Sequence, residues 1–156
     1  MKAGVTIVVI EVLVLIFGQA RTRKAESGNE ASAIGSLRAV NSGEMAFASA
    51  HGGRYAFDLA DLATPQPDNG RVRVSPDLSR NGVVKSGYVI RLERSGARGY
   101  FASAVPERPG VTGQRYFATD ERGVVVASRS GPIPNPIPRD RFYDASDPRS
   151  DAPGGR

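Results

Sequence analysis

Residues 27–50 read SGNEASAIGSLRAVNSGEMAFASA, and the spacing of their apolar side chains decides the fold. Ala33, Ile34, Leu37, Val40 and Phe47 recur at three- and four-residue steps, with Met45 and Ala48 beside them. That spacing draws one apolar stripe along a helix. Asn29, Glu30, Arg38, Asn41 and Glu44 fall mostly off the stripe, and Ala, Ser and Gly fill much of the remainder. Gly18, Gly28, Gly35 and Gly43 each weaken the helix locally, by about 1 kcal/mol relative to alanine. No strong breaker stands between residues 5 and 50, so one helix is predicted to run to the stop at His51-Gly52-Gly53.

Such a stripe needs a partner, and the second half of the chain supplies one. GYVIRLER (87–94) alternates Tyr88, Ile90 and Leu92 against Val89, Arg91 and Glu93, as a half-buried strand does. YFASAVPE (100–107), QRYFATD (114–120) and VVVAS (124–128) follow, separated by short connectors rich in Gly. Short strands joined by short turns favour an antiparallel meander. Ahead of them, residues 54–63 suggest a short turn or helix over the core. TPQPDNG (64–70) and SPDLSRNG (75–82) read as loops, with Val72 and Val74 as a short extended piece between them. The predicted class is α+β: a long N-terminal helix packed on a small antiparallel sheet of three to four strands. The last segment, GPIPNPIPRDRFYDASDPRSDAPGGR (131–156), is rich in Pro and mixed charge and is expected to be extended or disordered. The expected divisions are 1–20, 21–51, 52–130 and 131–156.

Residues 3–20 form the membrane-scale segment. GVTIVVIEVLVLIF (4–17) is apolar except for Thr6 and Glu11. Its helical length is about 26 Å, just short of a hydrocarbon core. A carboxylate near the middle costs about 2.5 kcal/mol or more on insertion. Two readings stand: a short membrane anchor, or a secretory signal with Lys2 as its basic end and Gly18-Gln19-Ala20 as the cleavage site. Glu11 weighs against the signal. Arg21, Arg23 and Lys24 favour holding that end in the cytoplasm and fit simple export poorly.

Composition narrows the chemistry. The chain has no cysteine, which removes disulfides, thiol catalysis, thiolate metal sites and a lipidated cysteine. The net charge is +5, but acids alternate with the bases, as in Arg91-Leu92-Glu93-Arg94. No dense basic block with interleaved aromatics appears, so no nucleic-acid partner is expected. His51 is the one histidine, and its place at a helix end suits a dipole-facing residue. With no second base and no G-x-S-x-G elbow, serine-hydrolase chemistry has no machinery. Asp58, Asp61, Asp68 and Asp77 match no calcium-loop spacing and read as turn and cap residues. No catalytic residue, metal ligand or cofactor is expected, and the chain is not expected to be an enzyme.

A leader, an apolar helix with one glutamate, an amphipathic continuation and a small sheet together resemble a type IV pilin or type II secretion pseudopilin. The likeness is closest to pilin-like proteins common in soil-type bacteria, where an Arg-x-Arg pair shortly precedes Asn-Glu-Ala-Ser-Ala. Here Arg21-Thr22-Arg23 precedes Asn29-Glu30-Ala31-Ser32-Ala33. KSGY (85–88) and GYFASAVPERPGVTGQRYFATDERGVV (99–125) also resemble that family's sheet region. The resemblance spans about residues 20–128. It implies an inner-membrane, single-pass protein with a periplasmic domain, assembling with other pilin-like subunits into a filament that can reach the cell exterior. It also implies processing between Gly4 and Val5 and an assembly role for Glu11. The family's signal has an aromatic or methionine after the glycine and a glutamate fifth. In this chain Val5 takes the first of those places, and Glu11 is seventh. These departures weaken the expectation of cleavage by a prepilin peptidase. The competing reading is an exported or membrane-anchored, non-catalytic binding domain with an ordinary signal peptide or an uncleaved anchor.

Overall fold

The computed structural model describes residues 3–67, 69–96, 98–139 and 143–145, with side chains from residue 23 onward except that of Tyr143. Helix α1 (Ala3–Ala50) is unbroken over 48 residues, a length of about 72 Å. It ends as its sequence dictates. Gly52 and Gly53 take positive φ, and the Gly53 amide donates to the Ala48 carbonyl at 2.8 Å, closing the last turn. A short helix α2 (Leu59–Ala63) follows, capped by Asp58, whose side chain accepts from the Ala60 and Asp61 amides. A 3₁₀ turn at Pro76–Leu78 leads into the sheet.

The sheet has six antiparallel strands in chain order: β1 (Val83–Lys85), β2 (Tyr88–Arg94), β3 (Tyr100–Pro106), β4 (Tyr116–Asp120), β5 (Val126–Ser128) and β6 (Tyr143–Asp144). Ser86 and Gly87 both have positive φ, the backbone a two-residue hairpin needs, and they pair Lys85 with Tyr88. Ile90 lies opposite Ala104, and Ala104 opposite Phe117. One face therefore carries Tyr88, Ile90, Leu92, Ala102, Ala104 and Phe117. These join Ala33, Leu37 and Val40 of α1 and Leu59, Leu62 and Leu78 in one core. The opposite face carries Phe101, Ala118 and Val126, which pack with Ile133 and Ile137.

The pilin-like arrangement of three to four strands with a disordered tail is thus incorrect: the sheet has six strands, and part of the tail is built into it. β1 has only three residues, too few to display alternation, and its turn chemistry places it. Val72 and Val74 form no strand; Val74 is buried from a loop, and Val72 is exposed. The tail reads as solvated because prolines dilute its apolar content. Yet Ile133 and Ile137 are buried, and β6 pairs with β5.

Candidate functional site

The buried face of α1 is not purely apolar. Glu30, Ser36, Asn41 and Glu44 are buried on it beside Ala33, Leu37 and Val40. Burying such groups is costly unless each finds a partner. Three polar clasps fasten the helix to the domain.

The first clasp is at Glu30. Its Oε2 accepts from Arg115 Nε at 2.8 Å, and its Oε1 accepts from the amides of Gln114 and Arg115 at 2.9 and 3.2 Å. One turn earlier, Glu26 accepts from Gln114 Nε2 at 3.0 Å, and the adjacent Asn29 donates through Nδ2 to the Thr112 carbonyl at 2.9 Å. These reach the connector between β3 and β4. The connector is shaped by Gly113, where a Cβ would fall 2.0 Å from Tyr88 Oη. Its absence lets that hydroxyl donate to the Arg115 carbonyl at 2.8 Å.

The second clasp is at Asn41. Its Oδ1 accepts from Tyr100 Oη at 2.8 Å and Thr119 Oγ1 at 3.0 Å, and its Nδ2 donates to the Gly123 carbonyl at 2.9 Å. One amide thereby holds β3, β4 and the β4–β5 turn. Burial pushes the Tyr100 phenol well above its ordinary pKa, so it remains a donor. Two residues on, Gly43 lies so close to the Arg73 carbonyl that a Cβ would be 2.9 Å from it.

The third clasp is at Glu44, which is fully buried. Its Oε2 accepts from the Ala56 amide at 2.9 Å, and its Oε1 has no hydrogen-bond partner among the described residues. Burial is the largest influence and raises its pKa to about 7; the Ala56 amide and the Arg94 charge pull the other way.

Of the residues singled out in the sequence, Ala33, Leu37 and Val40 are buried in the core, and Ile34 and Phe47 pack partly buried against it. Gly4, Val5 and Glu11 lie outside the described side chains. Glu30, Asn41 and Glu44 belong on the buried face, not off it. Their spacing carried the signal: Asn41 follows Leu37 by four residues, and Glu44 follows Val40 by four. His51 stacks on Phe47 with ring centroids 3.9 Å apart, and its Nδ1 lies 2.8 Å from the Phe47 carbonyl oxygen. Among the described residues, no group of three acidic, His or Cys side chains could hold a metal ion. An open cleft of about 160 Å³ beside the first clasp is lined by Arg23, Glu26, Ser27, Glu30, Gln114 and Arg129. The arrangement is one of mechanical fastening. It ties one half of a long helix to a sheet.

No family model, curated protein or solved structure matches this chain. Among the described residues, no helix is long and apolar enough to cross a membrane; the side chains of residues 3–22 are not among them.

Proposed function

We propose that the chain is a structural, non-catalytic subunit of a type IV pilus-like or type II secretion pseudopilus-like filament. In this reading its N-terminal helix is anchored in the bacterial inner membrane and its sheet domain stands on the periplasmic side. The reading concerns assembly and rests on the helix, not on the strand count. The observation that carries it is the continuity of α1. Hydrogen bonds from α1 to the sheet domain begin at Glu26 among the described residues. The same helix extends back to Ala3, about 35 Å further, through the apolar stretch of residues 4–17.

Such a helix suits transfer from lipid to filament. Apolar surface buried in the bilayer can be buried against neighbouring copies afterwards, with little net hydrophobic cost. Head-to-tail contacts that do not close extend without limit. The domain must then follow its helix as one body, and the three clasps provide that coupling.

The test uses the full chain in cells that hold a pilus-assembly machine. The cysteine-free background permits a single Val8→Cys substitution in the apolar helix. Oxidation of intact cells followed by shearing is expected to yield cross-linked dimers in sheared filaments that contain the chain. A chain found only as monomer in the membrane, or matured with Arg21 as its first residue, would overturn the reading and favour a membrane-anchored or an exported binding domain, respectively.

A further inference from the structure

The open cleft of about 160 Å³ lies where α1 leaves the sheet domain. Arg23, Glu26, Ser27 and Glu30 line it from the helix, on one face at steps of three and four residues, and Gln114 and Arg129 line it from the domain. Its charges are of both signs and are unequally engaged. Glu30 is committed to Arg115 Nε and two backbone amides. Glu26 accepts from Gln114 Nε2, and a carboxylate has about four acceptor sites, so it can take a further donor. Arg23 and Arg129 are both exposed and bring two guanidinium groups to the same cleft. Distance along the helix fixes what the cleft faces when the apolar stretch is in a bilayer. That stretch ends at Phe17, and α1 continues beyond it without a break. Arg23 lies about 9 Å further along the axis and Glu26 about 13 Å. The headgroup layer is roughly 5–8 Å deep on each side of the hydrocarbon. Helical side chains lean toward the N-terminus, so those of Arg23 and Glu26 reach back toward that layer.

We propose that this cleft binds the headgroup of a phospholipid that carries both a phosphate and a primary amine, phosphatidylethanolamine. The proposal rests on the membrane anchoring in the reading above and not on the filament. Arg23 and Arg129 hold the phosphate between two guanidinium groups, the Ser27 hydroxyl donates to it, and the lipid ammonium donates to Glu26. The mixed signs of the cleft decide the headgroup. Phosphatidylglycerol brings a phosphate but no cation, which leaves the Glu26 charge uncompensated. Phosphatidylcholine brings a cation, but its quaternary ammonium has no N–H to donate. A bound headgroup would seat the domain on the membrane surface at the point where its helix enters.

The test uses the full chain purified in a nonionic detergent. Short-chain phosphatidylethanolamine, phosphatidylglycerol and phosphatidylcholine are added singly at equal concentration, and native mass spectrometry reads the lipid-bound fraction. Phosphatidylethanolamine is expected to occupy about five-fold more of the chain than either other lipid. R23Q is expected to lower that occupancy about five-fold, and E26Q to bring it to the phosphatidylcholine level. K24Q removes an exposed neighbouring charge that does not line the cleft, and should leave the occupancy nearly unchanged. Equal occupancy by the three lipids overturns the proposal. So does an equal loss from K24Q and R23Q, because binding would then be diffuse attraction to a basic helix. Carbonate extraction of cell membranes follows the underlying reading separately. A chain that is retained but shows no headgroup preference removes the site alone; a chain that is released removes the anchored reading, and the proposal with it.

Discussion

The Glu30 carboxylate of α1 meets the Arg115 guanidinium at 2.8 Å, with side-chain exposures of only 12% and 13%. The pair links residues 85 positions apart in the chain, and two backbone amides complete the carboxylate's coordination. Removing the carboxylate takes from a largely buried guanidinium one ionic partner and from two backbone amides their acceptor, at a cost of about 3 kcal/mol. Glu30→Ala is therefore expected to lower the urea midpoint of the domain strongly. Arg115→Met added to it should recover part of the loss, and a double-mutant cycle from urea unfolding measures the coupling.

Asn41 makes a sharper case, because one side chain serves three elements. Asn41→Ala would leave Tyr100 Oη and Thr119 Oγ1 without their acceptor and the Gly123 carbonyl without its donor. The two stranded hydroxyls are buried, and each costs about 1–3 kcal/mol, so the expected total is about 3 kcal/mol or more, while the exposed Gly123 carbonyl can turn to water. Tyr100→Phe removes a single donor and should cost about 1 kcal/mol. Thermal unfolding of both variants should rank them in that order; equal losses would show that the amide is not the hub.

Glu44 gives the fold a defined pH dependence. Its pKa rises from 4.5 in the unfolded chain to about 7 in the folded one. The folded state therefore binds the extra proton between these values. The stabilisation is fully present below pH 4.5 and is lost as pH rises through 7. The change attributable to this residue is on the order of 3 kcal/mol. Glu44→Gln should flatten the stability profile across that window while leaving other slopes in place. Arg94 and Asp61, whose charges act on Glu44, are retained in that comparison. Urea unfolding at pH 5, 6, 7 and 8 checks it.

The helix, its stop and the four principal strands were legible because each follows a period or a turn signal longer than a few residues. The stripe of Ala33, Leu37 and Val40 needed only hydropathy. The polar half of the same face was marked by its spacing but not by its hydropathy, because Glu30, Asn41 and Glu44 are buried by virtue of partners between 12 and 85 positions away. A hydropathy template treats a buried amide and a solvated one alike. Ile133 and Ile137 escaped for a related reason. Two apolar residues among prolines bury nothing by themselves, and their hollow is assembled from β3, β4 and β5.

Gly113 tests whether the connector is as tightly fitted as its geometry indicates. An alanine Cβ would stand 2.0 Å from Tyr88 Oη and 2.7 Å from its Cζ. The ring is fully buried, so it has little room to retreat. Gly113→Ala should force Tyr88 off the Arg115 carbonyl and cost about 3 kcal/mol, the upper range for overpacking. The Tyr88→Phe variant loses only the hydrogen bond, about 1 kcal/mol. Urea midpoints separate the two effects, and a Gly113→Ala loss no larger than that of Tyr88→Phe would show that the connector yields easily.

Glu11 links the sequence to the proposed assembly. A carboxylate near the centre of an apolar helix costs about 2.5 kcal/mol or more on insertion. Pairing with a neighbour's N-terminal amine in a filament core would offset that cost. Glu11→Ala removes the burden before assembly and the partner after it, so insertion should be intact or improved while filament yield falls. Carbonate extraction measures the first quantity, and the amount of chain in sheared filaments measures the second. Glu11→Gln distinguishes charge from hydrogen bonding: it preserves an acceptor but not the ion pair, and should assemble no better than the alanine variant. Normal filament yield from either variant would remove the pairing role, while leaving open a filament held together by other surfaces of the helix.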